Sequence, residues 1–207
     1  MAIEPLELRV EDGPVLEAEL SVPSDPWAAV VLAHPHPTRG GNMRSLVTGE
    51  LFAALPAAGV ATLRFNFRGV GGSSGTHDGG VGEQRDIVAG IDALAAITEG
   101  LPLALSGWSF GADTSLAVVD ERLSGWAPVA PPLRILDPAT MGAAADPRPK
   151  CFVIAGNDQF RTPEEARPIL ADWVNVEVNV VEGADHFFVG RTDRVAEIVL
   201  TWLRTLA

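Results

Sequence analysis

The chain has 207 residues, of which 47% are hydrophobic, enough to bury the core of one ordinary domain and short for two. Acidic residues outnumber basic ones by 27 to 15, and the formal net charge of −12 argues against nucleic acid and anionic membrane surfaces as partners. No apolar stretch reaches the roughly 20 residues that a membrane-spanning helix needs, so we expect that the protein is not an integral membrane protein.

Cysteine usage and the first residues bear on the cellular compartment. Cys151 is the only cysteine in the sequence, so an internal disulfide bond is excluded. Residues 1–13 (MAIEPLELRVEDG) are too acidic and too interrupted for a signal peptide. We therefore expect one domain over residues 1–207, located in the cytoplasm.

In chain order, the predicted elements begin with a hairpin and continue as strands and helices. Residues 6–11 and 15–22 alternate apolar and polar side chains around an Asp-Gly-Pro turn. Six further runs are rich in apolar and β-branched residues, which favours strands: 28–33, 60–65, 102–106, 125–130, 150–155 and 176–181. Helical patterns occupy the segments 46–58, 81–99, 110–122, 163–173 and 191–206.

This order of elements predicts an α/β fold. A hairpin followed by alternating strands and helices implies right-handed crossovers and a mainly parallel sheet with helices on both faces. Continuous apolar runs are typical of strands that are buried on both faces of such a sheet. Residues 131–149 contain five prolines, and we predict an irregular connection there that is too short for an extra domain.

A G-x-S-x-G motif centred on Ser109 directly follows a predicted strand and precedes a helix. A serine on such a sharp turn has a strained backbone, and the flanking glycines lack the Cβ atoms that would collide there. This context predicts that Ser109 is a nucleophile and that the amide of Phe110 donates to an oxyanion. The alternative is an ordinary capping serine in a Gly-rich turn. The nearby Ser106 lacks paired glycines and is assigned to the strand.

A serine nucleophile needs a histidine that accepts its proton. His186 follows the last predicted strand, at the carboxyl edge where ligands bind in parallel sheets, although a solvated loop histidine would look the same. Asp158, in the loop after residues 150–155, is the favoured orienting acid because the chain order nucleophile, acid, histidine is kept. Asp137 is the reserve candidate, and Asp185 is interpreted as a turn former.

The loop after the first buried strand has the sequence His-Pro-His-Pro over residues 34–37. Two close histidines suggest a metal site. Cys151, a further possible ligand, is remote in sequence, and the prolines make the turn rigid, so we predict that no metal binds. A second oxyanion donor fits better. Because neither proline has an N–H, the amide of His36 is the expected donor, and His34 is interpreted as structural.

Two further segments concern cofactors and the substrate pocket. Residues 64–75 are rich in glycine, but their spacing does not match G-x-G-x-x-G, so we predict no dinucleotide cofactor or other cofactor. Arg68 is expected to hold this loop through hydrogen bonds to backbone carbonyls. Several apolar side chains could line an acyl pocket, with ordinary core packing as the alternative for each. They are Met43, Trp108, Phe160, Phe187 and Phe188.

Three motifs occur together in this chain: His-Pro-His-Pro followed by Gly-Gly-Asn-Met, Asn-Phe-Arg-Gly-Val-Gly-x-Ser-x-Gly, and Gly-Trp-Ser-Phe-Gly. In these motifs the chain resembles the small bacterial α/β hydrolases without a cap domain that are related to dienelactone hydrolases and serine esterases. The resemblance covers nearly the whole chain and implies an eight-stranded sheet and a triad of Ser109, Asp158 and His186. Dienelactone hydrolases proper use a cysteine nucleophile, so a serine favours ester hydrolysis.

We therefore expect a serine hydrolase that cleaves carboxylic esters or thioesters of small or medium acyl groups, with a small-molecule acyl substrate as its partner. One rival is a peptidase or amidase of the same fold. Another is a catalytically silent binding protein, which would be favoured if Asp158 and His186 did not converge on Ser109. The sequence allows a homodimer without requiring one.

Overall fold

Short apolar runs form eight strands in the computed structural model, which describes residues 2–207. The strands are β1 (Glu4–Arg9), β2 (Val15–Ser21), β3 (Ala28–Ala33), β4 (Val60–Phe65), β5 (Leu103–Trp108), β6 (Leu123–Val129), β7 (Lys150–Ala155) and β8 (Val176–Val181). The α-helices among the described residues are α1 (Leu46–Ala57), α2 (Glu83–Ala95), α3 (Phe110–Ala117), α4 (Pro163–Leu170) and α5 (Thr192–Leu203).

The strands form one sheet in the order β1-β2-β4-β3-β5-β6-β7-β8. The β1–β2 and β2–β4 pairs at one edge are antiparallel, and the other neighbouring pairs are parallel. The predicted α/β fold with a mainly parallel, eight-stranded sheet is therefore confirmed. Ala33 at the end of β3 pairs with Gly107 in β5, so the loops that follow these two strands begin side by side.

Side chains of the central strands alternate between two separate hydrophobic cores. In β3 one core receives Ala29, Val31 and Ala33, and the other receives Ala28, Val30 and Leu32. Helices α2, α3 and α4 cover the first face of the sheet, and α1 and α5 cover the second. Burying each large apolar side chain in these cores contributes on the order of 1.5–3 kcal/mol to the free energy of folding. Both helical layers therefore stabilise the sheet.

The strand β8 differs from its predicted environment. Only Val181 is buried in this strand, whereas Val178 and Val180 are 45% and 36% exposed. The prediction of a strand at 176–181 is confirmed, but the expectation that it is buried on both faces is wrong. The reason is its position at the edge of the sheet, where β7 is its single neighbour.

The helix α3 ends five residues before the end of the predicted helical segment 110–122, because Val118 adopts an extended conformation (φ −88°, ψ 121°). The carbonyl of Val118 accepts a hydrogen bond of 3.2 Å from the indole N–H of Trp126. A contact with a later strand thus ends the helix. Residues 131–149 contain only short 3-10 turns, Pro138–Thr140 and Gly142–Ala144. Within residues 2–207, no helix has both the length and the apolar character that crossing a membrane requires.

Candidate active site

Ser109 lies in the turn between β5 and α3, with φ 57° and ψ −115°. A backbone of this kind costs a non-glycine residue about 1–3 kcal/mol and persists where the surrounding structure enforces it. A Cβ atom on Gly107 would lie 2.3 Å from the carbonyl oxygen of Gly111, and one on Gly111 would lie 2.4 Å from that of Ala33. Both glycines are therefore required by close backbone contacts that hold the turn in its strained shape.

Three side chains from separate loops form a continuous hydrogen-bond chain. The Nε2 atom of His186 lies 2.9 Å from the hydroxyl oxygen of Ser109, and Nδ1 lies 2.8 Å from Oδ2 of Asp158. His186 and Asp158 are each 3% exposed, and Ser109 is partly exposed at the surface of a cleft. The structure thus brings together the three residues that the chain order selected.

The hydrogen-bond partners decide which nitrogen of His186 carries the proton. An ionised carboxylate only accepts hydrogen bonds, so Nδ1 donates to Asp158. The unprotonated Nε2 is then free to accept the hydroxyl proton of Ser109. Asp158 is itself oriented by two backbone N–H donors, those of Phe160 at 2.8 Å and Arg161 at 3.2 Å from Oδ1. This is the arrangement that general-base activation of a hydroxyl requires.

Two further residues hold the backbone of His186, and sequence reasoning missed this role for both. The side-chain oxygen of Gln159 accepts the N–H of His186 at 3.1 Å, and the indole N–H of Trp108 donates to its carbonyl at 3.1 Å. The sequence offered one signal for Gln159, namely its position next to Asp158. The direction of its side chain, however, depends on the fold.

The other candidate acids, Asp137 and Asp185, and the second serine, Ser106, have structural roles. Asp137 accepts the N–H of Ala139 at 3.0 Å at the start of a short 3-10 turn and is exposed. Asp185 accepts the N–H of Phe187 at 3.0 Å within its own turn. The hydroxyl of the buried Ser106 donates to a carbonyl of the neighbouring strand at 2.8 Å. None of the three makes a hydrogen bond to the imidazole of His186 in the described residues.

The backbone amides of His36 and Phe110 belong to neighbouring loops. Phe110 is the first residue of α3, and His36 lies in the loop after β3, the strand that pairs with β5. The two aromatic rings are 5.1 Å apart, which shows how closely the loops approach. Within residues 2–207 neither amide donates a hydrogen bond to the protein. Two backbone N–H groups that have no protein acceptor are the kind of donor that can stabilise a developing oxyanion.

His34 connects the ends of β3 and β4. Its Nε2 atom accepts the N–H of Phe67 at 3.0 Å, so the proton is on Nδ1, which donates to the carbonyl of Pro35 at 2.6 Å. Burial lowers the pKa of His34 from 6.5 to about 4, although the bond to the Pro35 carbonyl acts in the opposite direction. His34 is therefore a neutral, structural residue at neutral pH.

A second pair of titratable side chains lies behind the His36 loop and was not found from the sequence. The carboxylate of Glu83 is fully buried and lies 2.7 Å from Nδ1 of His77. It also accepts the N–H groups of Asp78 and Gly80, both at 2.9 Å. The His77 ring packs 5.2 Å from that of His36. Burial, with His77 nearby, lowers the pKa of His36. This cluster supports the loop that carries the His36 amide.

A cleft of about 750 Å³ opens beside Ser109 and His186. Of the predicted pocket residues, Trp108, Phe160 and Phe187 line this cleft. The exposed fractions of Phe160 and Phe187 are 40% and 46%, so both offer apolar surface to a ligand. Among residues 2–207 no α-helix is inserted in the loops that line the opening, namely those after β3, β6, β7 and β8.

Met43 does not line the cleft, and the expectation that it contacts substrate is wrong. Its side chain is fully buried, its amide donates to Oδ1 of Asn66 at 2.8 Å, and its carbonyl accepts from Arg64 at 3.2 Å. These bonds turn the side chain into the protein. Phe188 is likewise fully buried and packs in the core beneath α5.

Arg68 also differs from its prediction. Its guanidinium binds carboxylates rather than backbone carbonyls: Nη2 donates to Asp86 at 2.7 Å and Nη1 donates to Asp12 at 3.0 Å. Asp86 lies on α2 and Asp12 in the turn between β1 and β2, so Arg68 joins three segments. Burial raises the pKa of Asp86, and the guanidinium of Arg68 opposes this rise. The expectation of carbonyl partners is wrong because two carboxylates come from distant parts of the chain.

The histidines and the cysteine form no metal centre in the described part of the chain. Among residues 2–207 no three side chains of His, Cys, Asp or Glu are grouped so that they could hold a metal ion. Burial raises the pKa of the Cys151 thiol to about 12. The thiol is therefore protonated at neutral pH and is not reactive as a nucleophile.

Comparison with known proteins shows the family of this chain. A sequence model of the family described as Serine aminopeptidase, S33 matches residues 24–186, a span that contains Ser109, Asp158 and His186. An uncharacterized protein of Rickettsia prowazekii is 30% identical in an alignment of 202 residues that covers 91% of this chain and 83% of the relative.

Two solved structures are similar over almost their whole length. An alpha-beta serine hydrolase homologue from Coxiella burnetii is 32% identical with a TM-score of 0.87, and the match covers 100% of this chain and 99% of that one. An a/b serine hydrolase without lid from Xanthomonas campestris is 25% identical with a TM-score of 0.88, covering 99% and 95%. The fold, the family and the absence of a lid are thus seen in relatives as well.

Proposed function

This chain belongs to the Serine aminopeptidase, S33 family of α/β hydrolases, and from the geometry of its candidate site we propose that it hydrolyses carboxylic esters or thioesters of small or medium acyl groups through an acyl-serine intermediate. The observation that carries the proposal is the hydrogen-bond chain from Asp158 through His186 to Ser109, with N···O distances of 2.8 and 2.9 Å. Ser109 is the proposed nucleophile, His186 the general base and acid, and Asp158 the residue that orients the imidazole.

In the acylation step, Oγ of Ser109 attacks the carbonyl carbon of the ester while Nε2 of His186 takes the hydroxyl proton. The carbonyl oxygen becomes an oxyanion, which accepts hydrogen bonds from the amides of His36 and Phe110. Each such donor contributes about 10² to 10³ in rate in comparable sites. The tetrahedral intermediate collapses when the bond to the alcohol oxygen breaks and His186 gives its proton to that oxygen.

In the deacylation step, a water molecule takes the place of the hydroxyl. His186 removes a proton from the water, the resulting hydroxide attacks the acyl carbon, and the second tetrahedral intermediate releases Ser109 with its proton restored and the carboxylic acid as product. Asp158 stabilises the imidazolium that forms in both halves of the cycle. Its two backbone N–H donors keep the carboxylate in position throughout.

A peptidase activity is the second candidate, because the description of the matching family names an aminopeptidase. An aminopeptidase binds the ammonium group of its substrate, for which a carboxylate is the natural partner. The residues that line the cleft include Arg39 and Arg134 but no Asp or Glu. A cationic substrate terminus would therefore be repelled from this cleft, which favours the ester over the peptide substrate.

The test is labelling with a fluorophosphonate probe, followed by a comparison of substrates. We expect the parent protein and a Ser106→Ala control to be labelled and Ser109→Ala to remain unlabelled. We also expect p-nitrophenyl esters to be turned over much faster than aminoacyl anilides. Equal labelling of Ser109→Ala and the parent would overturn the assignment of the nucleophile. Faster turnover of the anilides would replace the esterase proposal by the peptidase one.

A further inference from the structure

The charged side chains of the cleft are of one sign. Arg39 and Arg134 both line it, whereas none of the described residues that line it is an Asp or a Glu. The whole chain carries a formal net charge of −12. The charge of the cleft is thus opposite in sign to the net charge of the protein. Such a local positive potential raises the concentration of anions at the site, although the protein as a whole repels them.

The two cleft arginines have guanidinium groups without a protein partner among the described residues, whereas several arginines elsewhere in the protein are paired. The guanidinium groups of Arg64, Arg68 and Arg148 pair with carboxylates. Within residues 2–207 the guanidinium groups of Arg39 and Arg134 make neither an ion pair nor a hydrogen bond. Five N–H donors on each of them are therefore available to a ligand.

Arg134 is held firmly at its base and close to the reacting groups. The buried carboxylate of Asp113 accepts the N–H groups of Leu133 at 2.9 Å, Arg134 at 3.0 Å and Ile135 at 2.9 Å. The guanidinium carbon lies 5.6 Å from the centre of the Phe160 ring, and that ring lies 4.5 Å from the ring of His186. The guanidinium is therefore one aromatic ring away from the imidazole.

Arg39 lies at the other side of the nucleophile. It ends the 3-10 turn Pro37–Arg39, and its N–H donates to the carbonyl of His36 at 3.0 Å. Its positive charge is near enough to His36 to contribute to the lowered pKa of that imidazole. Arg39 thus adds positive charge beside the proposed oxyanion donor, on a different loop from Arg134.

We infer that the preferred ester carries a second, anionic group, a carboxylate or a phosphate, which Arg134 binds while Arg39 adds to the positive field. The inference rests on the proposed function and concerns the substrate class of the same site. The planar guanidinium matches both anions with two parallel N–H···O bonds, and it lies over the face of the Phe160 ring, within cation–π distance. An ester of this kind keeps its charge on the part of the molecule that does not react.

The experiment compares kcat/KM for three pairs of esters, each an anion and its neutral counterpart, which is the methyl ester of a carboxylate or the dimethyl ester of the phosphate. The pairs are p-nitrophenyl adipate monoester, with the carboxylate on the acyl side; m-(butyryloxy)benzoate, with the carboxylate on the alcohol side; and m-(butyryloxy)phenyl phosphate. We expect the parent to prefer the anion in at least one pair. Arg134→Gln should reduce that preference about five- to tenfold, between the values for an exposed ion pair and a charge-assisted hydrogen bond. Arg39→Gln should reduce it about two- to threefold.

The matched control is Arg204→Gln, which makes the same change of net charge at an exposed site in the last residues of the chain. It should leave the preference unchanged, and the parent's preference should decline as salt is added. If the parent hydrolyses the neutral esters equally well as the anions, or if Arg134→Gln behaves as Arg204→Gln does, the inference is wrong while the proposed function stands. If no ester of any pair is hydrolysed, the proposed function fails and the inference fails with it.

Discussion

Acidification from pH 7 to pH 4 should remove stability through His34, because the folded protein holds this imidazole in its neutral form. The side chain is fully buried, and Nε2 accepts the N–H of Phe67. A protonated Nε2 would be a donor facing another donor, and a cation would sit in the core. The unfolded chain has no such restriction, so its imidazole takes up a proton at the ordinary pKa of 6.5.

The magnitude follows from the two pKa values. The folded value, about 4, lies below the unfolded value of 6.5, so His34 contributes its full stability above pH 6.5 and loses it as the pH falls through about 4. At 1.36 kcal/mol for each pKa unit, the loss over this window is about 3 kcal/mol. A domain of ordinary stability has only about 5–15 kcal/mol in total, so the effect is large enough to measure.

The assay is urea unfolding of the parent protein and of His34→Gln at several pH values between 7.5 and 4. Gln does not titrate, and its side-chain oxygen can still accept a hydrogen bond. All other titrating groups are shared, so the difference between the two free energies of unfolding isolates His34. We expect this difference to decline by about 3 kcal/mol from pH 7 to pH 4. A difference that stays constant over the whole range would refute a buried, neutral His34.

Three other predictions concern the proposed orienting acid Asp158, the glycine Gly111 in the turn of Ser109, and the buried carboxylate of Asp113. Asp158→Asn should lower kcat about 10³- to 10⁴-fold in ester hydrolysis, because the amide favours the wrong imidazole tautomer, whereas Asp137→Asn should leave kcat unchanged; equal losses would contradict the assignment of the acid. Gly111→Ala should reduce the free energy of unfolding by about 3 kcal/mol or more, since its Cβ would lie 2.4 Å from the Ala33 carbonyl oxygen; an unaltered melting temperature would contradict this steric account. Burial raises the pKa of Asp113 from 3.8 to about 6, so the free energy of unfolding of the parent relative to Asp113→Asn should fall by about 2 kcal/mol as the pH rises from 4 to 6. A rise over this window in the same urea experiment would show that the three N–H donors outweigh the burial of the carboxylate.

Much of the fold could be predicted because its signals are local. The bounds of β3, β4, β7 and β8 coincide with the apolar runs 28–33, 60–65, 150–155 and 176–181. The helix α3 was overestimated because its end depends on a hydrogen bond from Trp126, which is distant in sequence. In β8, Glu177 and Asn179 are a local sign of exposure, whereas the exposure of Val178 and Val180 follows from the position of the strand at the edge of the sheet, which no local pattern shows.

The candidate site was predictable in part for a related reason. The chain order and the positions at strand ends selected Ser109, Asp158 and His186, since parallel strands bring their carboxyl ends to one edge of the sheet. The pocket was harder to predict. Met43 is of an apolar type that often lines pockets, but its side chain is buried in the core. Arg134 lines the cleft, although no sequence motif connects it with the site.

By itself, the sequence determined the properties that depend on neighbouring residues: the periodicity of strands and helices, and the two glycines that permit the strained turn at Ser109. Only the tertiary structure decided which side chains meet across the molecule, such as Gln159 with His186 or Arg68 with its two carboxylates. The physical reason is that backbone dihedral angles respond to local sterics, whereas the direction and partners of a side chain depend on packing and burial summed over the whole chain.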